Sequence, residues 1–133
     1  MTVNPDEAKL DAVRALAQDA VGLRVLVLFG SRARGGTWTG SDWDFAYLGA
    51  PGFDPDALLG PLSTILDSDR IDLVDLDRAG GQLRYRVAGE GRVLHCGDEA
   101  AYARFWLDAV SFWCDAEPVL REGYDGLLAG LKR

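Results

Sequence analysis

Five apolar residues in a row, Val25-Leu26-Val27-Leu28-Phe29, halted at Gly30, constrain this chain more than any other stretch. The run is too short for a helix and too apolar for a half-exposed strand. It fits a strand buried on both faces. Such a strand cannot stand alone, so the flanking sequence must supply the elements that cover it.

The flanks read accordingly. Ahead of the strand, Asn4 is a good N-cap, Pro5 suits the first helical position, and Glu7 falls where a capping box places its acid. Leu10, Val13, Leu16, Ala17 and Ala20 follow at helical spacing, and Gly22 ends the segment. Behind the strand, Gly30 to Gly36 lead into a polar loop. A second strand, Asp42 to Leu48, alternates Asp42, Asp44 and Ala46 on one face with Trp43, Phe45 and Tyr47 on the other. Asp54-Pro55 opens a helix striped by Leu58, Leu59, Leu62, Ile65 and Leu66, which Pro61 is expected to kink or delay. Ile71 to Leu76 predicts a third strand, Asp77 caps a helix running to about Val87, and Arg92 to Cys96 forms a short fourth strand. The remainder is helical, from an Asp98 cap to about Cys114 and again from Val119 to Leu131, with Pro118 between them. The pattern α-β-β-α-β-α-β-α-α belongs to the α+β class. It predicts one domain over residues 1–133, with 98–133 as a helical C-terminal segment.

Composition narrows the function. With 133 residues and 48% hydrophobic content, one domain with a substantial core is expected. No stretch has the roughly 20 apolar residues of a membrane span, and the N-terminus lacks a signal-peptide pattern. Cys96 and Cys114 have no metal or redox spacing, so free thiols in a cytoplasmic protein are the expectation. A net charge of -7 argues against binding nucleic acid directly, since phosphate backbones call for clustered lysine and arginine. Lysine occurs only at Lys9 and Lys132, and the notable arginine pair is Arg32 and Arg34. Acidity of this kind suits either a solvated surface or a partner with a basic patch.

The chemistry is concentrated between Gly30 and Asp44. Gly30 has no Cβ to obstruct a phosphate, and Ser31 offers a hydroxyl and a backbone N–H where a short helix begins. After ten intervening residues, Asp42 and Asp44 project from one face of a strand and can share hard cations such as Mg²⁺. A third acid on a neighbouring strand completes a two-metal arrangement, in which one ion activates the attacking oxygen and the other steadies the leaving pyrophosphate. Asp72 is the candidate, because a carboxylate among apolar neighbours is costly unless a metal balances it. Asp75 competes, but alternation puts it on the opposite face.

Gly30-Ser31-Arg32-Ala33-Arg34-Gly35, the gap, and Ser41-Asp42-Trp43-Asp44 closely resemble the signature of the DNA polymerase β-like nucleotidyltransferase superfamily, and its minimal MNT-type members in particular. Ile71 to Leu76 and Gly89 to Leu94 are also similar to family segments, though less specific. Trp43 replaces a smaller aliphatic residue on the face turned away from the metals. The resemblance implies a polymerase β-like fold: a mixed sheet of about four strands with helices on one side and a helical C-terminus. It implies that Gly30 and Ser31 hold the triphosphate of ATP, and that Asp42, Asp44 and Asp72 ligate a pair of Mg²⁺ ions. Asp72 is also the implied base for the acceptor hydroxyl. Arg32 and Arg34 would meet phosphate or partner, or remain solvated loop charge. MNT proteins commonly pair with HEPN-domain RNase toxins in type VII toxin–antitoxin systems. The implied activity is adenylate transfer to a toxin tyrosine, within a cytoplasmic hetero-oligomer.

Two other functions compete with this one. A binding antitoxin would need no carboxylate cluster, and a nucleotidyltransferase acting on a small molecule usually carries an added substrate domain, for which the region after Asp98 is short. His95 and Cys96, adjacent on a strand, face opposite ways and read as structural. The aromatic stripe of Tyr102, Phe105, Trp106, Phe112 and Trp113, with the last helix around Tyr124, reads as core with part of it facing the toxin.

Overall fold

The computed structural model describes residues 5–34 and 42–111. Four strands form one sheet in the order β3-β2-β1-β4, where β1 is Leu23–Phe29, β2 Trp43–Gly49, β3 Ile71–Asp75 and β4 Arg92–Cys96. The apolar run thus lies in an interior strand, antiparallel to β2 on one side and to β4 on the other. Strands β2 and β3 pair in parallel through an intervening helix, as a parallel pair requires.

Alternation along β1 divides the core into two layers. Leu26 and Leu28, with Trp43, Phe45 and Tyr47 of β2, pack against Leu10, Val13 and Ala17 of helix α1 (Pro5–Asp19) and Leu58, Leu62 and Leu66 of α3 (Asp56–Leu66). Val25, Val27 and Phe29, with Ala46 and Leu48, pack against Val87 of α4 (Gly81–Glu90) and Ala101, Tyr102, Phe105 and Ala109 of α5 (Glu99–Ser111). Helices therefore cover both faces of the sheet, which corrects the one-sided cover implied above. The physical reason is the apolar run itself: side chains on both faces of β1 need burial.

Other differences are local. Helix α3 continues past Pro61, which sits on the exposed side while Leu58, Leu62 and Leu66 are buried. Their burial outweighs the hydrogen bond lost at the proline. Asp77 does not cap α4. Its backbone N–H donates to Asp75 Oδ1 at 2.9 Å in a turn, and Gly80 occupies the cap position. Asp98 does cap α5, accepting from the Ala101 N–H at 3.0 Å. Both carboxylate oxygens of Glu7 accept from Arg92, at 2.6 and 2.8 Å, and tie α1 to β4. Asn4, Cys114, Tyr124 and the helix expected over 119–131 lie outside the described residues, as do the aromatics Phe112 and Trp113. Among the described residues no helix is long and apolar enough to cross a membrane.

Candidate active site

The end of β1 and the start of β2 build the site. In their antiparallel register Phe29 stands opposite Asp44, and in the parallel register of β2 with β3 Asp44 stands beside Asp72. Two acids distant in sequence thus become neighbours on one face, the face covered by α4 and α5. Asp75 registers beside Tyr47 and lies on the other face, where it accepts from the turn and sits 3.8 Å from Arg78. Asp42 precedes β2 with an exposed carboxylate 4.0 Å from Arg70.

Gly30 follows Phe29 with φ +76°, a conformation that favours glycine. A Cβ at this position would collide with Asp44 Oδ2. The absent side chain therefore makes room for the Asp44 carboxylate against the turn, a role beyond the approach to phosphate read from the sequence. Ser31 begins the short helix α2 (Ser31–Arg34) immediately afterwards.

Electrostatics mark Asp44 as the centre. Partial burial holds its carboxyl above the usual range, the charges of Asp72 and Asp42 push it further up, and Arg86 draws it back. Asp72 is itself exposed. Among the described residues no group of three or more acids, histidines or cysteines is placed to hold a metal ion by itself. The residues nonetheless fit a hard divalent cation. The donors are carboxylate oxygens, their mutual repulsion is the kind a cation relieves, and Mg²⁺ sites are often completed by water and substrate phosphate.

The two arginines fare differently. Arg32 turns to the opposite face, its guanidinium 3.9 Å from the Trp43 ring centroid and 3.2 Å from Asp6 Oδ2, with the side chain 8% exposed. It links α2 to α1 and β2. Arg34 closes α2, and the position of its side chain lies outside the described residues. Trp43 is 1% exposed and stacks on Phe45 at 6.3 Å, on the face away from the acids as its alternation predicts. Arg86 was not legible in the sequence; no spacing relates it to the acids, and only the packing of α4 brings it near them. Cys96 packs in the layer with α5, and its thiol is pushed up by burial, in keeping with a structural role.

An α+β fold with a glycine turn beside paired strand carboxylates defines the nucleotidyltransferase class. Residues 12–100 match the family of polymerase beta nucleotidyltransferases, and the chain belongs to that family. It is 38% identical over 92 residues to the protein adenylyltransferase MntA of Aphanizomenon flos-aquae, a match covering 58% of this chain and 61% of that protein, less than two-thirds of its length. A crystal structure of a toxin–antitoxin with AMP-PNP superposes with a TM-score of 0.65 at 27% identity, covering 93% of this chain and 98% of the other. The tri-AMPylated Shewanella oneidensis HEPN toxin in complex with MNT antitoxin gives a TM-score of 0.61 at 26% identity, covering 96% and 98%.

Proposed function

We propose that this chain transfers AMP from ATP to a tyrosine hydroxyl of a HEPN-domain toxin and so acts as its antitoxin. The observation that carries the reading is Asp44 standing beside Asp72 on the same face as the Gly30 turn. A protein that neutralised its partner by contact alone would have no use for mutually repelling carboxylates beside a glycine turn. The similarity to an adenylyltransferase and to antitoxins in complex with HEPN toxin supports the same substrate and partner.

In this reading the tyrosine oxygen attacks the α-phosphorus of ATP, the bond to the bridging oxygen of pyrophosphate breaks, and pyrophosphate leaves. Gly30 and Ser31 hold the phosphate chain through backbone N–H groups and the serine hydroxyl. Asp72, the exposed member of the pair, receives the tyrosine proton. Asp42, Asp44 and Asp72 would hold Mg²⁺, which would supply Lewis-acid stabilisation of the developing charge. A cytoplasmic hetero-oligomer with the toxin suits the ATP requirement, and the charge of -7 suits a protein partner better than nucleic acid.

The test is intact mass spectrometry of the HEPN partner after incubation with this protein, ATP and Mg²⁺, beside an Asp42→Asn/Asp44→Asn variant. Adenylate mass increments that the variant does not produce are expected. A stable complex with no increment would replace the catalytic reading with inhibition by binding.

A further inference from the structure

We propose that Arg86 binds the phosphate chain of the nucleotide, forming the α4 wall of the site opposite the Gly30 turn. The inference rests on the nucleotidyl-transfer reading above and adds a residue to it. Helix α4 packs on the Asp44 face of the sheet, and its Arg86 guanidinium lies 5.8 Å from the centroid of the Phe29 ring. Phe29 both precedes Gly30 and stands opposite Asp44, so the guanidinium lies over the residue that joins the turn to the Asp44 strand, close enough for its charge to act on that carboxyl.

The side chain is oriented by its own helix. Arg86 Nε donates to Glu90 Oε2 at 3.3 Å, one turn further along. The two terminal nitrogens have no hydrogen-bond partner among the described residues, and the side chain is 47% exposed. An arginine fixed at Nε with its outer nitrogens open presents donors suited to phosphate oxygens.

The site needs such a charge. Three carboxylates repel a polyphosphate, and Arg32, the arginine at the start of α2, is turned to the other face of the sheet. Among the described residues, Arg86 is a cation whose field acts on Asp44 in the opposite sense to Asp72 and Asp42. It can offset the repulsion felt by incoming phosphate without occupying a metal position.

The alternative is a helix-surface pair with Glu90 and no more. Binding of ATP in the presence of Mg²⁺ separates the two, measured by calorimetry on wild type, Arg86→Gln, Arg86→Lys and Glu90→Gln. Arg86→Gln should weaken ATP by roughly tenfold or more, the loss of a charge-assisted hydrogen bond, while Arg86→Lys retains part of the affinity. As separate probes, inorganic pyrophosphate should lose affinity in parallel and adenosine should not. Melting temperatures of Arg86→Gln and Glu90→Gln should agree within about 2 °C, as for loss of the same surface pair. Arg86→Gln binding ATP and pyrophosphate as tightly as wild type would overturn the inference alone. A wild-type protein that binds no ATP would overturn the underlying reading and the inference with it.

Discussion

Asp44 illustrates how a single side chain is held at a cost to the fold. Desolvation and the charges of Asp72 and Asp42 hold its carboxyl above the ordinary value of 3.8. A carboxyl that binds its proton more tightly when folded than when unfolded stabilises the native state least when ionised. This unfavourable contribution is absent below 3.8 and grows as pH rises through the folded-state pKa. Asp44→Asn removes the charge while nearly preserving shape, so its melting temperature at pH 7 should exceed that of wild type, with the gain shrinking toward pH 4, although transfer is lost. Thermal melts across this pH range check the sign; a variant less stable than wild type at pH 7 would refute it. Gly30 belongs to the same arrangement, since only a residue without Cβ leaves Asp44 its place.

Among the elements, the link between α1 and β4 depends on Glu7 and Arg92. Their bidentate pairing holds the Glu7 carboxyl below its ordinary value of 4.5, chiefly through the hydrogen bonds from Arg92. A depressed pKa stabilises fully above the unfolded value and fades as pH falls through the folded one. Both side chains are about two-fifths exposed, so solvent screening limits the pair. Glu7→Gln should cost no more than about 1 kcal/mol at pH 7. The difference from wild type should close below pH 4.5 and narrow in high salt, as urea unfolding at several pH values would reveal. A constant penalty across pH would mean that Glu7 acts through packing. Helix α3 makes a related point: a proline that reads as a break is tolerated because three buried leucines hold the helix to the sheet.

For the molecule as a whole, the sheet is a partition between two cores. Leu62 is fully buried beneath one face and Phe105 is 2% exposed beneath the other. Leu62→Ala should cost about 2–5 kcal/mol and Phe105→Ala about 3–5 kcal/mol. Because the two sites share no packing partner across the sheet, the double variant should lose the sum to within about 0.5 kcal/mol. Chemical denaturation of the four proteins in the cycle measures this; a coupling energy well above that margin would show that the layers communicate. If the double variant does not fold, the same cycle with Leu62→Val and Phe105→Leu gives the coupling. Much of this architecture can be read directly from sequence, because alternation and apolar runs are local statements about burial. The strand at Val25 to Phe29, the match of Arg92 to Cys96 with β4, the separation of Asp44 from Trp43 and the Asp98 cap all follow from side-chain period or cap chemistry. Local pattern also brought Gly30, Ser31, Asp42 and Asp44 into one short stretch, and the register of β1 with β2 sets the Gly30 turn against Asp44. Strand order, the parallel pairing that sets Asp72 beside Asp44, and the cover on both faces depend on contacts between distant segments. So do the turning of Arg32 onto Trp43, the capture of Glu7 by Arg92 and the arrival of Arg86 over Phe29. A charged side chain reaches far enough to choose among several partners, and its choice is settled by which helices pack beside it.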